Sequence, residues 1–147
     1  MTETARHRVA ITGLGPITAA GIGTHAFWEG LRRERSPIRH VDRFDASPWK
    51  ARLAAQVDDF VPEEFMDRRT ARRLDRYSHF AIAAARLALR DAGLEYRPLD
   101  PDRVAVQIGS ALGGVAYAET QVAAFTANGP RAVDPRVALT TFGGAAS

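Results

Sequence analysis

The sequence predicts an α/β fold, and three stretches carry the expectation. Val9-Ala10-Ile11 is a short apolar run after the charged Arg6-His7-Arg8, as at the start of a buried strand, and glycines follow at 13, 15, 21 and 23. Val104-Ala105-Val106-Gln107-Ile108 repeats the pattern and runs into Gly109-Ser110-Ala111-Leu112-Gly113-Gly114. Between them, residues 67–93 form the strongest helical segment, with Tyr77, Phe80, Ala81, Ala84, Leu87 and Ala88 recurring at three- and four-residue steps along one face.

Each element follows in order. Gly13 and Gly15 break the first strand, and Pro16, lacking an N–H, bars an immediate helix interior. Thr24 is placed as the N-cap of a helix carrying Phe27, Trp28 and Leu31. Residues 32–43 are polar and basic, interrupted by Pro37, and belong on the surface. Residues 44–49 make a turn whose aromatic side chains pin it to the body. A short strand is expected over 53–57, then a turn over 58–62 with Pro62 near the first position of the next helix.

Within 67–93, Thr70 allows a break by capping a new helix. Gly93 suits the C′ position, with Leu94 the apolar contact beyond it. The many alanines permit close approach of a partner element. Pro98 and Pro101 punctuate the loop 94–103. A helix over 115–127 ends at Asn128-Gly129-Pro130, and no closing element is expected in 131–147. Two strands are too few for a stable domain-sized sheet. The chain therefore reads as the front part of something larger, poorly folded or oligomeric alone because sheet edges stay unpaired.

At 147 residues the chain is the size of one domain, and its 46% hydrophobic and 25% charged content is that of an ordinary soluble globular protein. No apolar run approaches a membrane span, and the N-terminus lacks a signal-peptide core. The absence of cysteine removes disulfides and any thiol nucleophile, and makes a cytoplasmic address the default. The net charge is a modest +3, and Lys50 is the only lysine, so where the arginines cluster matters more than their number.

Several chemistries fail on spacing. A dinucleotide-binding turn needs a third glycine where Thr18 stands, and Pro16 sits where its helix should begin. No second strand ends in an acidic residue about 20 positions on, so residues 9–23 read as a structural turn. Residues 109–114 lack the Gly-Lys-Ser/Thr of a phosphate loop. His7, His25, His40 and His79 have no ligand spacing, so no metal site is expected. Ser147 has no nucleophile elbow around it.

The arginines at 68, 69, 72, 73 and 76 are a real cluster. On one continuous helix Arg69, Arg72, Arg73 and Arg76 share a face. That face is either solvated and balanced by Asp67 and Asp75, or a docking patch for something acidic. Nucleic acid is disfavoured, because no stacking aromatics interleave and no zinc or helix-turn-helix signature appears.

Taken together, the ordered pieces resemble the N-terminal portion of β-ketoacyl-(acyl carrier protein) synthases, the condensing enzymes of fatty-acid and type II polyketide synthesis. The matching residues are 9–15, Gly21, Phe27-Trp28, Phe44-Asp45, Leu74-Asp75-Arg76, Ala88, residues 91–94, 109–114 and 128–131. The resemblance implies a thiolase-like α/β fold, of which residues 1–147 are an incomplete N-terminal half with a mixed sheet and packed helices, ending before the nucleophile segment. It implies decarboxylative condensation through an active-site cysteine and two histidines of the second half. This chain has no cysteine, and its histidines fall outside those motifs, so no catalytic residue transfers and the chain alone is expected to be inactive.

Two other roles transfer by position. Arg69, Arg72 and Arg73 match a patch that docks the acidic acyl carrier protein, and Leu112 matches a position lining the acyl pocket. The resemblance implies no bound cofactor, since substrates ride on the carrier's phosphopantetheine arm. As partners it implies acyl carrier protein and a homodimer or ketosynthase heterodimer at full length, with no nucleic acid or membrane. The alternatives are a non-catalytic partner subunit of chain-length-factor type or a carrier-binding fragment, and, from another class, an NAD(P)-dependent oxidoreductase.

Overall fold

The computed structural model of the chain describes residues 8–97 and 99–142; the expectations at His7, Pro98 and Ser147 lie outside them. The axis of the fold is a 16-residue helix, α3 (Arg76–Asp91). Ahead of it come a two-residue-per-strand hairpin, β1 (Ile17–Thr18) and β2 (Gly21–Ile22), and helix α1 (Thr24–Arg32). A second antiparallel pair follows, β3 (Ile38–His40) with β4 (Leu53–Ala55), and then the four-residue helix α2 (Arg68–Ala71). After α3 come α4 (Val115–Asn128) and α5 (Val137–Thr141).

The core lies between α3 and the segment leading into α2. Phe60, Phe65, Met66, Ala71 and Ala83 are its buried members, with Ile17, Ile22, Val57, Leu74, Phe80, Ile82 and Leu87 packed around them. Phe60 stacks on Phe65 at 5.6 Å and meets Phe80 edge-on at 4.9 Å between ring centroids. Pro62 opens a single 3-10 turn (Pro62–Glu64), the place expected for it. Of the apolar stripe expected on α3, Phe80 and Leu87 pack against this core and Ala84 and Ala88 lie against residues 13–15; the 0% exposed residues of the helix are Ser78 and Ala83, outside the stripe.

Several local expectations are corrected. Residues 9–11 are not a strand: Val9 is 91% and Ile11 84% exposed, and the segment takes part in no ladder. Residues 104–108 likewise take part in no ladder. Both have strand composition, but neither has a neighbouring strand among the described residues to complete its backbone hydrogen bonds. The sheets that do form are two antiparallel pairs. β3 arises in the stretch read as irregular surface, with Ile38 opposite Ala55 and His40 opposite Leu53. β4 is correspondingly shorter than 53–57.

The turn at 44–49 is not pinned to the body by its aromatic side chains; its buried residue is Ala46. Phe44 and Trp49 pack on each other edge-to-face at 5.8 Å, and both remain mostly exposed. Gly23, not Thr24, is the N-cap of α1. Residues 67–93 are two helices, interrupted after Ala71 and capped by Asp67 and Asp75 rather than by Thr70. The tail holds an element after all, α5, which packs on α4.

The C-terminus of α3 is as read. Gly93 adopts φ 68°, its N–H donates to Arg90 O at 3.0 Å, and Leu94 N–H donates to Leu89 O at 2.8 Å, the paired bonds of a Schellman motif.

Residues 13–15 lie directly on α3. A Cβ on Gly13 would stand 2.1 Å from Ala88 O and one on Gly15 2.0 Å from Ala84 O. Only glycines permit that approach, and the alanines at 84, 88 and 92 supply the flat helical face it needs.

Candidate functional site

The arginine cluster sits on the α2–α3 corner. Asp67 makes the first half of it: its carboxylate accepts the amides of Arg69 at 2.9 Å and Thr70 at 3.0 Å and the Thr70 hydroxyl at 2.6 Å. Those bonds, the Thr70 hydroxyl first, hold its carboxyl below the ordinary aspartate value. Because α2 ends at Ala71, Arg72 and Arg73 lie on the connection rather than on a continuing helix face. Arg68, Arg69, Arg72 and Arg73 are all exposed, and none forms a salt bridge among the described residues.

Arg76 does not belong to that surface, which corrects the one-face expectation. Its guanidinium lies 4.7 Å over the Phe80 ring and 5.8 Å over Phe60, and donates to Val57 O. Burial pushes its pKa down from the usual arginine value, and Arg43 nearby adds to the effect. This arginine is an internal clasp between the loop at 57–60 and the start of α3.

The balancing roles expected for Asp67 and Asp75 are also different from a simple counter-charge. Both carboxylates are committed to backbone amides. Asp75 accepts the Arg76 N–H at 2.5 Å with one oxygen, and with the other faces the Tyr117 N–H at 3.4 Å. Tyr117 is the third residue of α4, whose own N-cap, Gly114, has no side chain to offer. A Cβ on Gly114 would stand 2.9 Å from Asp75 Oδ2. One aspartate thus serves the starts of two helices. Sequence reasoning missed this; the visible signal was an Asp immediately before an apolar-periodic run and a glycine where α4 needed a cap.

Leu112 lies in the turn 109–114 that leads into α4, and it is 72% exposed on the surface of this chain. Within that turn the Gly113 amide donates to Ser110 Oγ at 2.9 Å. The arginine patch and this turn share one junction. Besides Asp75, α5 ties them: Thr140 Oγ1 donates to Arg73 O at 3.5 Å, and Gly114 N–H donates to Thr141 O at 3.3 Å. Beyond Tyr117, the phenol donates to Asp134 at 2.7 Å, and Asp134 forms a salt bridge with Arg136.

A cleft of about 610 Å³ opens elsewhere, beside the β1–β2 hairpin. Arg33, Arg90, Asp58, Asp59 and Glu64 line it in mixed sign. Among the described residues no three His, Cys, Asp or Glu side chains are grouped to hold a metal ion. No described helix is long and apolar enough to cross a membrane.

Comparison with known proteins places the chain in a family. Residues 6–147 match the family model for the β-ketoacyl synthase, N-terminal domain. A 3-oxoacyl-[acyl-carrier-protein] synthase 2 of Synechocystis is 38% identical over 135 residues, 92% of this chain and 32% of that protein. The granaticin polyketide putative beta-ketoacyl synthase 1 of Streptomyces violaceoruber is 41% identical over 130 residues, 87% of this chain and 31% of that protein. Among solved structures, the ishigamide ketosynthase/chain length factor superposes with a TM-score of 0.76 at 31% identity, over 94% of this chain and 34% of that one. A type II PKS acyl-carrier protein in complex with its ketosynthase gives 0.75 at 27% identity, over 96% of this chain and 37% of the matched one. The fold is therefore the thiolase-like α/β fold of ketosynthases, and the chain spans about a third of the length of these relatives. By the match of residues 6–147, the chain belongs to the β-ketoacyl synthase family and represents its N-terminal domain.

Proposed function

We propose that this chain supplies the carrier-docking corner and part of the acyl-pocket wall of a β-ketoacyl-ACP synthase. The single observation that carries the reading is the set of exposed arginines 69, 72 and 73, free of ion pairs among the described residues, at a bend stiffened by Asp67 and Asp75. Positive charge held on a fixed corner steers an acidic partner and raises its rate of encounter. In one solved relative the ketosynthase is bound to its acyl-carrier protein.

The substrates arrive as thioesters on the carrier's phosphopantetheine arm, and the chain itself holds no cofactor. The acyl group passes to a cysteine thiolate outside residues 1–147, releasing the carrier thiol. Malonyl carrier protein then loses CO₂, and the resulting carbanion attacks the cysteine-bound thioester. A carbon–carbon bond forms as the cysteine thiolate leaves. Leu112 borders the space for the acyl chain, so its bulk limits which chains fit. Residues 1–147 contain no cysteine, and the 147-residue chain alone performs no turnover. At full length the protein pairs as a homodimer or with a second ketosynthase-like subunit.

The test is condensation by the complete polypeptide carrying residues 1–147. Incubated with an acyl thioester and malonyl carrier protein, it should release one CO₂ for each 3-oxoacyl carrier formed. CO₂ release without the 3-oxoacyl product makes the protein a malonyl-thioester decarboxylase and contradicts the synthase reading; neither product favours a non-catalytic partner of chain-length-factor type.

A further inference from the structure

We infer that Asp75 is a positioning residue for acyl-chain selectivity: its carboxylate holds the turn bearing Leu112 in register with the arginine corner. The inference rests on the functional reading above and deepens it. Asp75 follows directly on Arg73 and Leu74, so its backbone belongs to the corner itself. One oxygen caps α3 through the Arg76 amide at 2.5 Å; the other faces the Tyr117 amide of α4 at 3.4 Å. It also lies against Gly114, the last residue of the Leu112 turn, where an added Cβ would stand only 2.9 Å away.

α4 has no side-chain cap of its own, so this carboxylate is the acceptor offered to its first turn, where a negative charge also interacts favourably with the positive end of the helix dipole. Neither contact is made by an arginine of the patch. Loss of the carboxylate therefore frees the turn while leaving the docking charges in place. α5 reinforces the same junction through Thr140 to Arg73 and Thr141 to Gly114.

Two variants of the complete polypeptide isolate the role. Asp75→Ser keeps a hydroxyl able to cap α3 but is too short to reach Tyr117. Asp75→Asn keeps the size and one acceptor oxygen, and is read in the same way should the serine variant fold poorly. Three quantities are measured: affinity for acyl carrier protein, exchange of the Tyr117 amide, and the ratio of condensation rates for hexanoyl and dodecanoyl primers. The expected result is unchanged affinity, faster Tyr117 exchange, and a primer ratio shifted by about tenfold. Leu112→Ala should shift that ratio too, and the Asp75→Ser/Leu112→Ala double variant should shift it less than the sum of the two.

An unchanged primer ratio despite faster exchange overturns the inference. So does an equal fall in carrier affinity, which would make Asp75 part of the docking surface. Unchanged Tyr117 exchange overturns the bond itself. A wild-type protein that condenses neither primer sinks the synthase reading instead, and the exchange measurement then tests the Asp75–Tyr117 contact alone.

Discussion

Gly15 stands so close to α3 that a Cβ at that position would lie 2.0 Å from the carbonyl oxygen of Ala84. The backbone of residues 13–15 is thereby seated on an alanine-faced helix, and the glycine-rich stretch near the N-terminus is a packing device. Gly15→Ala should destabilise the fold by about 1–3 kcal/mol through overpacking. Urea unfolding of the two proteins measures it, and equal midpoints would contradict the contact.

Asp91 fastens the same stretch from the other side. Its carboxylate accepts the Leu14 amide at 2.9 Å and the Thr24 hydroxyl at 3.3 Å, joining the end of α3 to the start of α1. Asp91→Ala should lower stability by about 1 kcal/mol. Thr24→Ala, which removes only the longer bond, should cost less. A thermal melt in which Thr24→Ala is the more damaging change would reverse the assignment.

Arg76 is separable from its neighbours in the cluster. It donates to Val57 O and covers Phe80 and Phe60, so Arg76→Gln should cost about 1–3 kcal/mol. Carrier-protein affinity of the folded variant should stay at the wild-type value. Surface plasmon resonance on both proteins checks this, and a loss of affinity matching that of Arg73→Glu would return Arg76 to the docking surface.

The acid side of the stability profile should carry the signature of Asp134. Hydrogen bonds from the Arg136 side chain and backbone, then from Tyr117, hold its carboxyl well below the ordinary 3.8. As pH falls, the unfolded chain takes up this proton before the folded one does. The stabilisation is therefore complete above about pH 5 and drains away below about pH 4. The melting-temperature gap between wild type and Asp134→Asn should be flat near neutrality and close in acid. A gap that widens as pH falls has the wrong sign for this account.

Much of the fold was legible because it is set locally. The period of α3, the cap at Gly93 and the stop at Gly129 depend on a few adjacent residues. What failed depends on distant partners. Residues 9–11 and 104–108 have strand composition, yet strands need neighbours to complete their hydrogen bonds, and none stands beside them among the described residues. β3 formed because 53–55 came alongside it, which no pattern within Ile38–His40 announces. At the site, Arg69, Arg72 and Arg73 were identifiable as a cluster from spacing alone. That Arg76 turns inward required Phe60 and Phe80, sixteen and four residues away in sequence, to be seen in one place. Asp75 was read only as a counter-charge to the arginines; that it caps α3 and reaches α4, forty-two residues on, was not seen.

The most direct test of the central claim is the affinity of the complete polypeptide for acyl carrier protein, with Arg69, Arg72 and Arg73 intact and then replaced together by glutamate. The wild type should bind, and bind more weakly as salt is raised. The triple variant should keep its melting temperature and lose about tenfold or more in affinity. A variant that binds the carrier as well as wild type, at every salt concentration, would contradict the docking assignment.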